Sequence, residues 1–408
     1  MTGAVASSVT APVGTTRLTS APAADFATHL ATFGPLPTSN PAVLLSALHD
    51  SGLEGRGGGA FPAWRKLAAV PGRERARGRR VVVIGNAAEG EPLSSKDATL
   101  LTVAPHLVID GLLAVAESLN GTATYLYVRS SVLGAVSRAL GERRDARKIE
   151  LREAADSFVS GEASAVVSAL AGRRPVPQDR PFLLTESGLA GRPTLLHNVE
   201  TLAHIALIAR FGPAWFRSRG TASDPGTRLV TVTGGGRPST VIEIGGGAGL
   251  NDVFRFAGID PAGLSGVLVG GFHGAWVPAS AGNVRLDRED LARFGATPGA
   301  GILMGQDARH CPLTVASAIA TYLAGETAGQ CGPCVNGLSA MASVLSRLAR
   351  GERDPSLPAE LRRLADLVTG RGSCHYPDGT ARFVLSTLTV FDADVRAHLA
   401  GTCRKEHS

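Results

Sequence analysis

The sequence predicts an α/β protein made of three successive parts, and three observations support this. Strand-like and helix-like stretches alternate from about residue 45 to 215, which is typical of a mostly parallel sheet covered by helices. Short β runs between glycine turns occupy about 225 to 300. From about 301 onward the apolar residues have helical spacing. We therefore expect a parallel-sheet domain, a small β-rich module and a helical bundle.

The composition is that of a globular protein. Of its 408 residues, 44% are hydrophobic and 19% are charged, and this length favours two or three domains. The net charge of +6 is not gathered into a basic stripe with aromatic residues, so no nucleic-acid partner is expected. Five cysteines, an odd number, do not indicate a disulfide framework. No stretch has the apolar length of a membrane span, so we expect no direct membrane insertion and a cytoplasmic protein, free or peripheral to a membrane complex.

The two ends of the chain are expected to lie outside the folded domains. Residues 1–44 lack the basic start and compact apolar run of a secretory signal. Their first half is rich in Ser, Thr, Ala and Pro, so we interpret 1–44 as a flexible leader. Residues 401–408 are interpreted as a tail.

The parallel-sheet domain begins with a strand in "RRVVVIGNAAEGEP" that ends at Ile84. The spacing then predicts a helix in "PHLVIDGLLAVAESLNG", a strand in "ATYLYVRS", a helix in "SSVLGAVSRALGE" and a strand in "KIELREA". Ligands bind at the carboxyl ends of the strands in such sheets. The residues after Ile84 are therefore the first candidates for a site.

The next two parts follow from simpler patterns. The β-rich module is predicted from "TRLVTVTGGG", "STVIEIGGG", "SGVLVGG" and "GAWVPAS", with one helical piece in "GLNDVFRFAG". Four amphipathic helices are predicted in "CPLTVASAIATYLAGETA", "VNGLSAMASVLSRLARGE", "PAELRRLADLVTGRG" and "ARFVLSTLTVFDADVRAHLAG". Together these four helices would form the C-terminal bundle.

A glycine-rich loop, "EGRGGGAFPAWRKL", is the first candidate binding element. Its glycines allow a ligand to approach the backbone closely; they are Gly55, Gly57, Gly58 and Gly59. Arg56 and Lys66 add positive charge, and Phe61 offers an apolar face for a ring. A plain flexible turn is the alternative interpretation of these glycines.

Three further stretches carry candidate polar residues. Asn86, Glu89 and Glu91 follow the first strand, where a parallel sheet binds ligands, although polar residues at a strand end are often merely solvated. The second stretch is "FVSGEASAV", Phe158–Val166. In the third, Asn198, Glu200 and Thr201 open a helix, and a capping role for Asn198 is the alternative.

Three of the five cysteines form a candidate metal site. Cys331 and Cys334 form a Cys-x-x-Cys pair in "ETAGQCGPCVNG", and Cys374 lies in "GRGSCHYPDG" between two predicted helices. Such soft ligands suit zinc or an iron–sulfur cluster, and three unrelated cysteines are the alternative. Cys311 and Cys403 are interpreted as bystanders, and His375 as a surface residue.

Taken together, these stretches resemble the flavin-carrying, NADH-oxidising subunit of respiratory complex I, which is shared with NAD-linked hydrogenases and formate dehydrogenases. "GRGGGAFPAWRK" resembles the family's flavin loop GRGGAGFPTGxK, and "NAAEGEPLSSKD" resembles NADEGEPGTFKD. "SGEASAVVSALAGRRPVPQDRPF" and "LHNVETLAHI" are similar to two further family blocks, and "ETAGQCGPCVNG" resembles ESCGKCTPCREG. The blocks occur in the family's order, and the resemblance covers about residues 45–400.

The resemblance implies a domain plan. It comprises a Rossmann-like FMN- and NADH-binding domain over 45–220, a ubiquitin-like β-grasp module over 221–300 and a helical iron–sulfur domain over 301–400. It also implies hydride transfer from NADH to FMN and single electrons passing to the cluster. The expected partners are NADH or NADPH and a ferredoxin-like or other iron–sulfur subunit of a redox complex.

The resemblance also implies a role for individual residues. Glu91 matches an acid beside the hydride-transfer site, and Phe61 and Phe182 match rings near the nicotinamide nucleotide. Cys331, Cys334 and Cys374 match three of the four cluster cysteines. The residues that match FMN contacts are Gly57, Gly58, Gly59, Lys66, Asn86, Glu89, Gly161, Glu162, Asn198 and Thr201.

The chain departs from the family pattern at several of these positions. Ala328 stands where the first cluster cysteine is expected, so a 4Fe-4S cluster would need a fourth ligand from elsewhere or would shed an iron to become 3Fe-4S. Ala88 and Ala163 replace two carboxylates, and His197 replaces an asparagine. We expect weaker nucleotide binding or a different nucleotide. A diverged redox-complex subunit without NADH activity is therefore the main alternative function, and a zinc-binding scaffold is a further one.

Overall fold

The computed structural model describes residues 16–38, 40–70, 80–121, 123–179, 182–403 and 405. The α/β class with a parallel sheet is confirmed. The described chain contains a four-stranded sheet, a five-stranded sheet and a C-terminal group of helices.

The parallel sheet has four strands in the order β3-β2-β1-β4. All six residues of β1 are buried, which explains its continuous apolar run between helices on both faces. The first three strands match the expected ones, β4 was not predicted, and the helix that Asn198 was expected to open is α8. The strands are β1 Val82–Ala87, β2 Ala123–Val128, β3 Ile149–Glu153 and β4 Thr194–Asn198. The helices are α1 Phe26–Phe33, α2 Pro41–Ser51, α3 Ala63–Ala68, α4 Lys96–Val103, α5 Pro105–Ser118, α6 Ser130–Gly141, α7 Ala163–Leu170 and α8 Val199–Arg217.

The interpretation of residues 1–44 as a flexible leader is wrong for the described part of that segment. Helix α1 is held to α5 by the pair His29–Asp110, with 2.7 Å between Nε2 and Oδ2. Ahead of it, Leu18 is fully buried, and its backbone N–H donates to the carboxylate of Glu243. These residues therefore form part of the domain. Residues 1–15 lie outside the described residues.

The β-rich module is a five-stranded mixed sheet in the order β6-β5-β9-β7-β8. Strands β5 and β9 are parallel, and the other neighbours are antiparallel. The interpretation of the chain from 301 onward as helical is wrong at its start, because residues 302–307 form the central strand β9. The elements are β5 Thr227–Gly234, β6 Arg237–Gly245, α9 Leu250–Phe256, β7 Leu264–Val269, β8 Ala275–Pro278, α10 Arg288–Ala292 and β9 Ile302–Asp307.

The C-terminal part contains five α-helices within the described chain, not the expected four. The last expected helix is broken at Phe391, which has φ −107° and ψ 33° and whose ring packs against Trp276 with centroids 5.1 Å apart. A π-helical turn, Pro333–Leu338, lies between the first two helices. The helices are α11 Pro312–Gly325, α12 Ser339–Ala349, α13 Leu357–Val368, α14 Tyr376–Val390 and α15 Asp392–Leu399.

Within the described segments, no single helix has the length and apolar character needed to cross a membrane. Helices α4 and α5 reach that length only together, and they are bent by 95° at their junction.

Candidate functional site

One cavity lies where the order of the parallel sheet reverses. Strands β2 and β4 flank β1 on opposite sides, and Asn86 at the end of β1 is in register with Asn198 at the end of β4. A cavity of about 520 Å³ opens beside these two ends, and we call it the strand-end cavity. This is the position at which doubly wound sheets bind their ligands.

Most of the expected site residues line this cavity. Gly58 is the exception in the glycine loop, since it lines two neighbouring cavities instead. The expected residues on the wall of the strand-end cavity are Gly57, Gly59, Phe61, Lys66, Asn86, Glu89, Glu91, Gly161, Glu162, Asn198 and Thr201.

The glycine loop is closed by a backbone hydrogen bond and approaches Asn198 closely. The N–H of Gly55 donates to the carbonyl of Phe61 at 2.9 Å. Gly58 has φ +101°, a backbone conformation that strongly favours glycine. A Cβ at Gly57 would lie 3.1 Å from the Cβ of Asn198. The loop therefore forms a tight cradle and not an open flexible turn.

Arg56 was expected to add positive charge to the binding site, but its side chain does not line the strand-end cavity. Its side chain is buried and donates to the backbone carbonyls of Pro225 and Thr227 at the start of β5. Its backbone N–H donates to Thr201 Oγ1 at 2.9 Å. Arg56 therefore fastens the glycine loop to the β module and to α8.

Lys66 brings a positive charge to the cavity wall. It lies on the short helix α3, and its Nζ donates to the carbonyl of Leu196 at 2.6 Å. Next to it, burial and the charge of Lys66 lower the pKa of His197 to about 3. The histidine is therefore neutral at pH 7, and the lysine supplies the charge on this wall.

Side-chain amides link the ends of β1 and β4 to neighbouring parts of the chain. Asn86 Nδ2 donates to the carbonyl of Gly161 at 2.9 Å, and Asn198 Nδ2 donates to Asp97 Oδ2 at 2.6 Å. A Cβ at Gly161 would lie 2.3 Å from the carbonyl oxygen of Ala88, so only glycine fits there. Asn198 Oδ1 also accepts from Glu200 N, which confirms its capping of α8.

Glu89 and Glu162 use their carboxylates at helix starts. Glu89 Oε1 accepts from Asp97 N at 2.9 Å, and Oε2 accepts from Ala98 N at 3.0 Å, in the first turn of α4. Glu162 Oε2 accepts from Ser164 N at 2.8 Å at the start of α7. Both residues line the cavity while anchoring its walls.

A buried ion cluster at the cavity wall also belongs to the site, and the sequence did not indicate it. Lys96 Nζ lies 2.6 Å from Asp97 Oδ1 and 2.8 Å from Glu200 Oε2. Burial acts to lower the pKa of Lys96, but these carboxylates outweigh it and raise the pKa. Burial also raises the pKa of Asp97 to about 7. The lysine and aspartate stand in "LSSKD", so the motif contained this signal without indicating the partner at 200.

The β module supplies a third wall, which local sequence patterns did not indicate. His273, Ala300 and Ile302 line the strand-end cavity. The N–H of Phe272 donates to Glu91 Oε2 at 3.0 Å, whereas Glu91 Oε1 is buried and has no hydrogen-bond partner among the described residues. Burial raises the pKa of Glu91 to about 7.

Because the folded-state pKa of Glu91 lies above its ordinary value of 4.5, the folded protein binds more protons than the unfolded chain between about pH 4.5 and 7. The free energy of unfolding should therefore fall as pH rises through this window. Glu91→Gln should remove that slope and be more stable than the parent above pH 7, by up to about 3 kcal/mol. Urea unfolding at pH 5 and pH 8 measures this, with Glu117→Gln on the exposed face of α5 as the control. Parallel pH dependences of the parent and Glu91→Gln would contradict it.

The two expected nucleotide-binding rings differ in their placement. Phe61 lines the strand-end cavity, and 53% of its surface is exposed, so a planar ligand could stack against its ring. Phe182 is 61% exposed and lines none of the described cavities. The structure does not bring Phe182 to the site, and its role stays a prediction.

The three expected cluster cysteines lie at two junctions of the helical part, Cys331 and Cys334 between α11 and α12 and Cys374 between α13 and α14. Cys334 lies on the π-helical turn, and Cys331 is close enough to hydrogen-bond with it. Burial, with contributions from Cys331 and Cys374, raises the pKa of the Cys334 thiol to about 12. Ala328 is buried nearby in sequence and offers no ligand atom. His375, expected to be a surface residue, is 99% exposed.

A second cavity adjoins the strand-end cavity on the side of Cys374. It measures about 560 Å³, shares Glu91, Phe158 and His273 with the strand-end cavity and is also lined by Cys374. The rings of Phe158, His273 and Tyr376 pack together with centroids 4.5 to 5.3 Å apart. An aromatic wall therefore separates the strand-end cavity from Cys374.

The residues present fit FMN. The volume of the strand-end cavity is in the usual range for a small-molecule site. Two buried polar atoms on its wall, Glu91 Oε1 and His197 Nε2, lack hydrogen-bond partners in the described part of the chain. The fit to a four-iron cluster is incomplete, since three thiols and the buried Ala328 stand where four thiolates are expected.

Two regions of the chain match known protein families. Residues 48–207 match the model of the Nuo51 FMN-binding domain, and residues 314–398 match that of the NADH-ubiquinone oxidoreductase-F iron-sulfur binding region. The chain is 29% identical over 378 residues to the second F-type subunit of NADH-quinone oxidoreductase in Rhizobium meliloti, covering 88% of this chain and 89% of the relative. It is 28% identical to the NADP-reducing hydrogenase subunit HndC of Solidesulfovibrio fructosivorans, covering 89% of this chain and 77% of the relative.

Solved structures show the same fold. A chain of an NAD+-reducing NiFe hydrogenase in the H2-reduced state superposes with a TM-score of 0.79 at 29% identity. The match covers 88% of this chain but only 63% of the hydrogenase chain.

The fold and site are those of a flavin- and iron–sulfur-dependent oxidoreductase subunit. The chain carries an FMN-binding domain and an iron–sulfur binding region of the kinds found in its relatives, which are subunits of NADH-quinone oxidoreductase and of an NADP-reducing hydrogenase. Its relatives are subunits of multi-subunit complexes, and the family passes electrons to partner subunits.

Proposed function

We propose that this chain oxidises NADH or NADPH with FMN in the strand-end cavity and delivers electrons through an iron–sulfur centre to a ferredoxin-like or other iron–sulfur partner. The observation that carries this proposal is that two adjoining cavities share Glu91, Phe158 and His273, one lying at the ends of β1 and β4 and the other lined by Cys374. The family's role and the absence of a spanning helix among the described residues favour a cytoplasmic, peripheral subunit.

The chain's own residues would bind and orient the reactants. The glycine loop admits a ligand close to its backbone, and Lys66 faces an anionic ligand with its ammonium group. Asn86, Asn198 and Thr201 hold the floor of the cavity, each in a hydrogen bond given above. FMN, when bound, supplies the conversion of a two-electron donor into single electrons.

Glu91 would stand beside the nicotinamide. It lines both cavities, and its Oε1, which has no partner among the residues that the structure describes, offers an acceptor to a hydroxyl or amide of the bound nucleotide. Phe158 and His273 would close the site from the cysteine side and exclude water there. Cys331, Cys334 and Cys374 would hold the iron–sulfur centre.

Anaerobic purification tests the proposal. The protein should carry FMN, which absorbs at about 450 nm, and it should contain iron and sulfide. The flavin absorption should disappear when NADH or NADPH is added. Reduction of a ferredoxin by NADH or NADPH through the protein would establish the partner class. A colourless protein that contains zinc and no flavin would refute the proposal.

A second candidate function rests on two alanines. Ala88 and Ala163 both line the strand-end cavity where the family pattern has carboxylates. Without these acceptors, ribose and ribityl hydroxyls lose hydrogen bonds. A diverged subunit that binds flavin but does not react with NADH would then act as an electron-transfer or structural partner. Flavin that neither NADH nor NADPH bleaches would favour this function.

Ala328→Cys should strengthen the iron–sulfur centre. The substitution places a thiol where the family has its first cluster cysteine, which would complete a four-thiolate set. We expect iron per chain to rise and the half-life of the cluster in air to lengthen roughly tenfold. Iron and sulfide assays measure this, and Thr327→Cys is the control, since it adds a thiol one residue away. Unchanged iron content and air sensitivity would mean that another ligand already holds the fourth position.

A further inference from the structure

The structure brings together two cysteines that were interpreted as bystanders. Cys311 lies at the N-cap of α11, His398 near the end of α15 and Cys403 just beyond that helix. Their ligand atoms all lie within 4.8 Å of one another, and Cys311 Sγ is 3.4 Å from His398 Nε2. In a tetrahedral zinc site, a sulfur and a nitrogen ligand are about 3.6 Å apart, given the usual zinc–ligand distances.

The imidazole of His398 is oriented for this role. Its Nδ1 lies 3.1 Å from the carbonyl of Leu348, and because a carbonyl only accepts, Nδ1 must carry the hydrogen. Nε2 then directs its lone pair towards Cys311. A backbone carbonyl that fixes the other ring nitrogen is the usual outer partner of a metal-binding histidine.

A helix-ending turn places the third ligand. Gly401 has φ +75°, and its N–H donates to the carbonyl of His398 at 2.8 Å. The N–H of Thr402 donates to the carbonyl of Ala397 at 3.0 Å, which completes a Schellman motif. This turn reverses the chain and brings the half-buried Cys403 back to His398 and Cys311, both of which are buried.

The surroundings suit a metal ion with one open position. A cavity of about 600 Å³ adjoins the group, lined by His398, Cys403, Thr314 and Arg350 among others. Two thiolates would neutralise a divalent cation in this partly buried place. Two sulfurs and one imidazole select zinc over the oxygen-preferring magnesium or calcium.

We propose that Cys311, His398 and Cys403 form a zinc site, separate from the cluster cysteines, that fastens the end of the last helix to the start of α11. A water molecule or a small external ligand from the adjoining cavity would take the fourth position. The zinc would thus cross-link the first and last helices of the helical part, α11 and α15. The proposal does not depend on flavin or NADH activity.

Metal analysis of the anaerobically purified full chain tests the proposal. We expect about one zinc per chain in the parent and in Cys331→Ser, whose substitution is at the other cysteine site. Cys403→Ser should lose this zinc. Its zinc affinity, measured by chelator competition, should fall by about 100-fold or more, since loss of an outer partner alone costs about 10–100-fold.

A chain that ends after Thr402 provides a second variant, which removes Cys403 without adding a polar group. It should behave as Cys403→Ser does. Equal zinc in the parent and in both variants would show an adventitious ion and overturn the proposal. So would a parent that stays free of zinc after dialysis against zinc chloride, or a Cys311–Cys403 disulfide found by mass spectrometry.

Discussion

Lys96→Met is expected to destabilise the protein by about 3–5 kcal/mol. Lys96 is 1% exposed, and its ammonium is the cation between Asp97 and Glu200. Methionine fills a similar volume but leaves two buried carboxylates without that charge. Their remaining hydrogen bonds, from Asn198 to Asp97 and from the Leu229 N–H to Glu200, do not replace it. Urea unfolding followed by circular dichroism, at pH 8, measures the loss.

Two further variants show whether the ion cluster causes the loss. Lys148→Met changes an exposed lysine and should leave the unfolding midpoint unchanged. Lys96→Met combined with Glu200→Gln neutralises one of the stranded carboxylates, so it should recover part of the stability. If Lys96→Met alone unfolds at the same urea concentration as the parent, the ion cluster does not support the sheet ends.

The sequence indicated the first strand and the residues after it because their physics is local. A short run of apolar residues followed by Asn86 predicted a buried strand that leads to the ligand-binding edge of the sheet. The sequence also predicted the glycine loop, because Gly57 allows the backbone to approach Asn198 closely and Gly58 adopts a positive φ. The parallel sheet and the three-part order followed from these signals and from periodicity.

The sequence did not reveal which distant segments contribute residues to the site. Glu91 receives its hydrogen bond from Phe272 across the boundary between two domains, and no local pattern links the two residues. Strand β9 was not predicted because a short apolar run beside helices does not show that it pairs with β5 and β7. Cys311 and Cys403 meet only because α15 ends in a turn that folds back on α11.

Lys66→Ala should cost most of the bound flavin. Lys66 lines the strand-end cavity, and its ammonium group brings a positive charge to the cavity wall. A hydrogen bond to a charged group contributes about 1.5–3 kcal/mol, so the affinity for FMN should fall by about 10- to 100-fold. Fluorescence titration of the apoprotein with FMN measures the change. Lys66→Arg, which keeps the charge, should lose less, and Lys148→Ala should lose nothing.

Riboflavin, which has no phosphate, locates the contact made by Lys66. If the ammonium faces the phosphate of FMN, riboflavin should bind equally to the parent and to Lys66→Ala, because the missing charge has nothing to pair with. An equal loss of both ligands would instead place Lys66 beside the ring or the ribityl chain. Full FMN occupancy in Lys66→Ala would contradict the location of the flavin site in the strand-end cavity. Another ligand would then be needed to explain why Glu91 Oε1 and His197 Nε2 find no hydrogen-bond partner in the part of the chain that the structure describes.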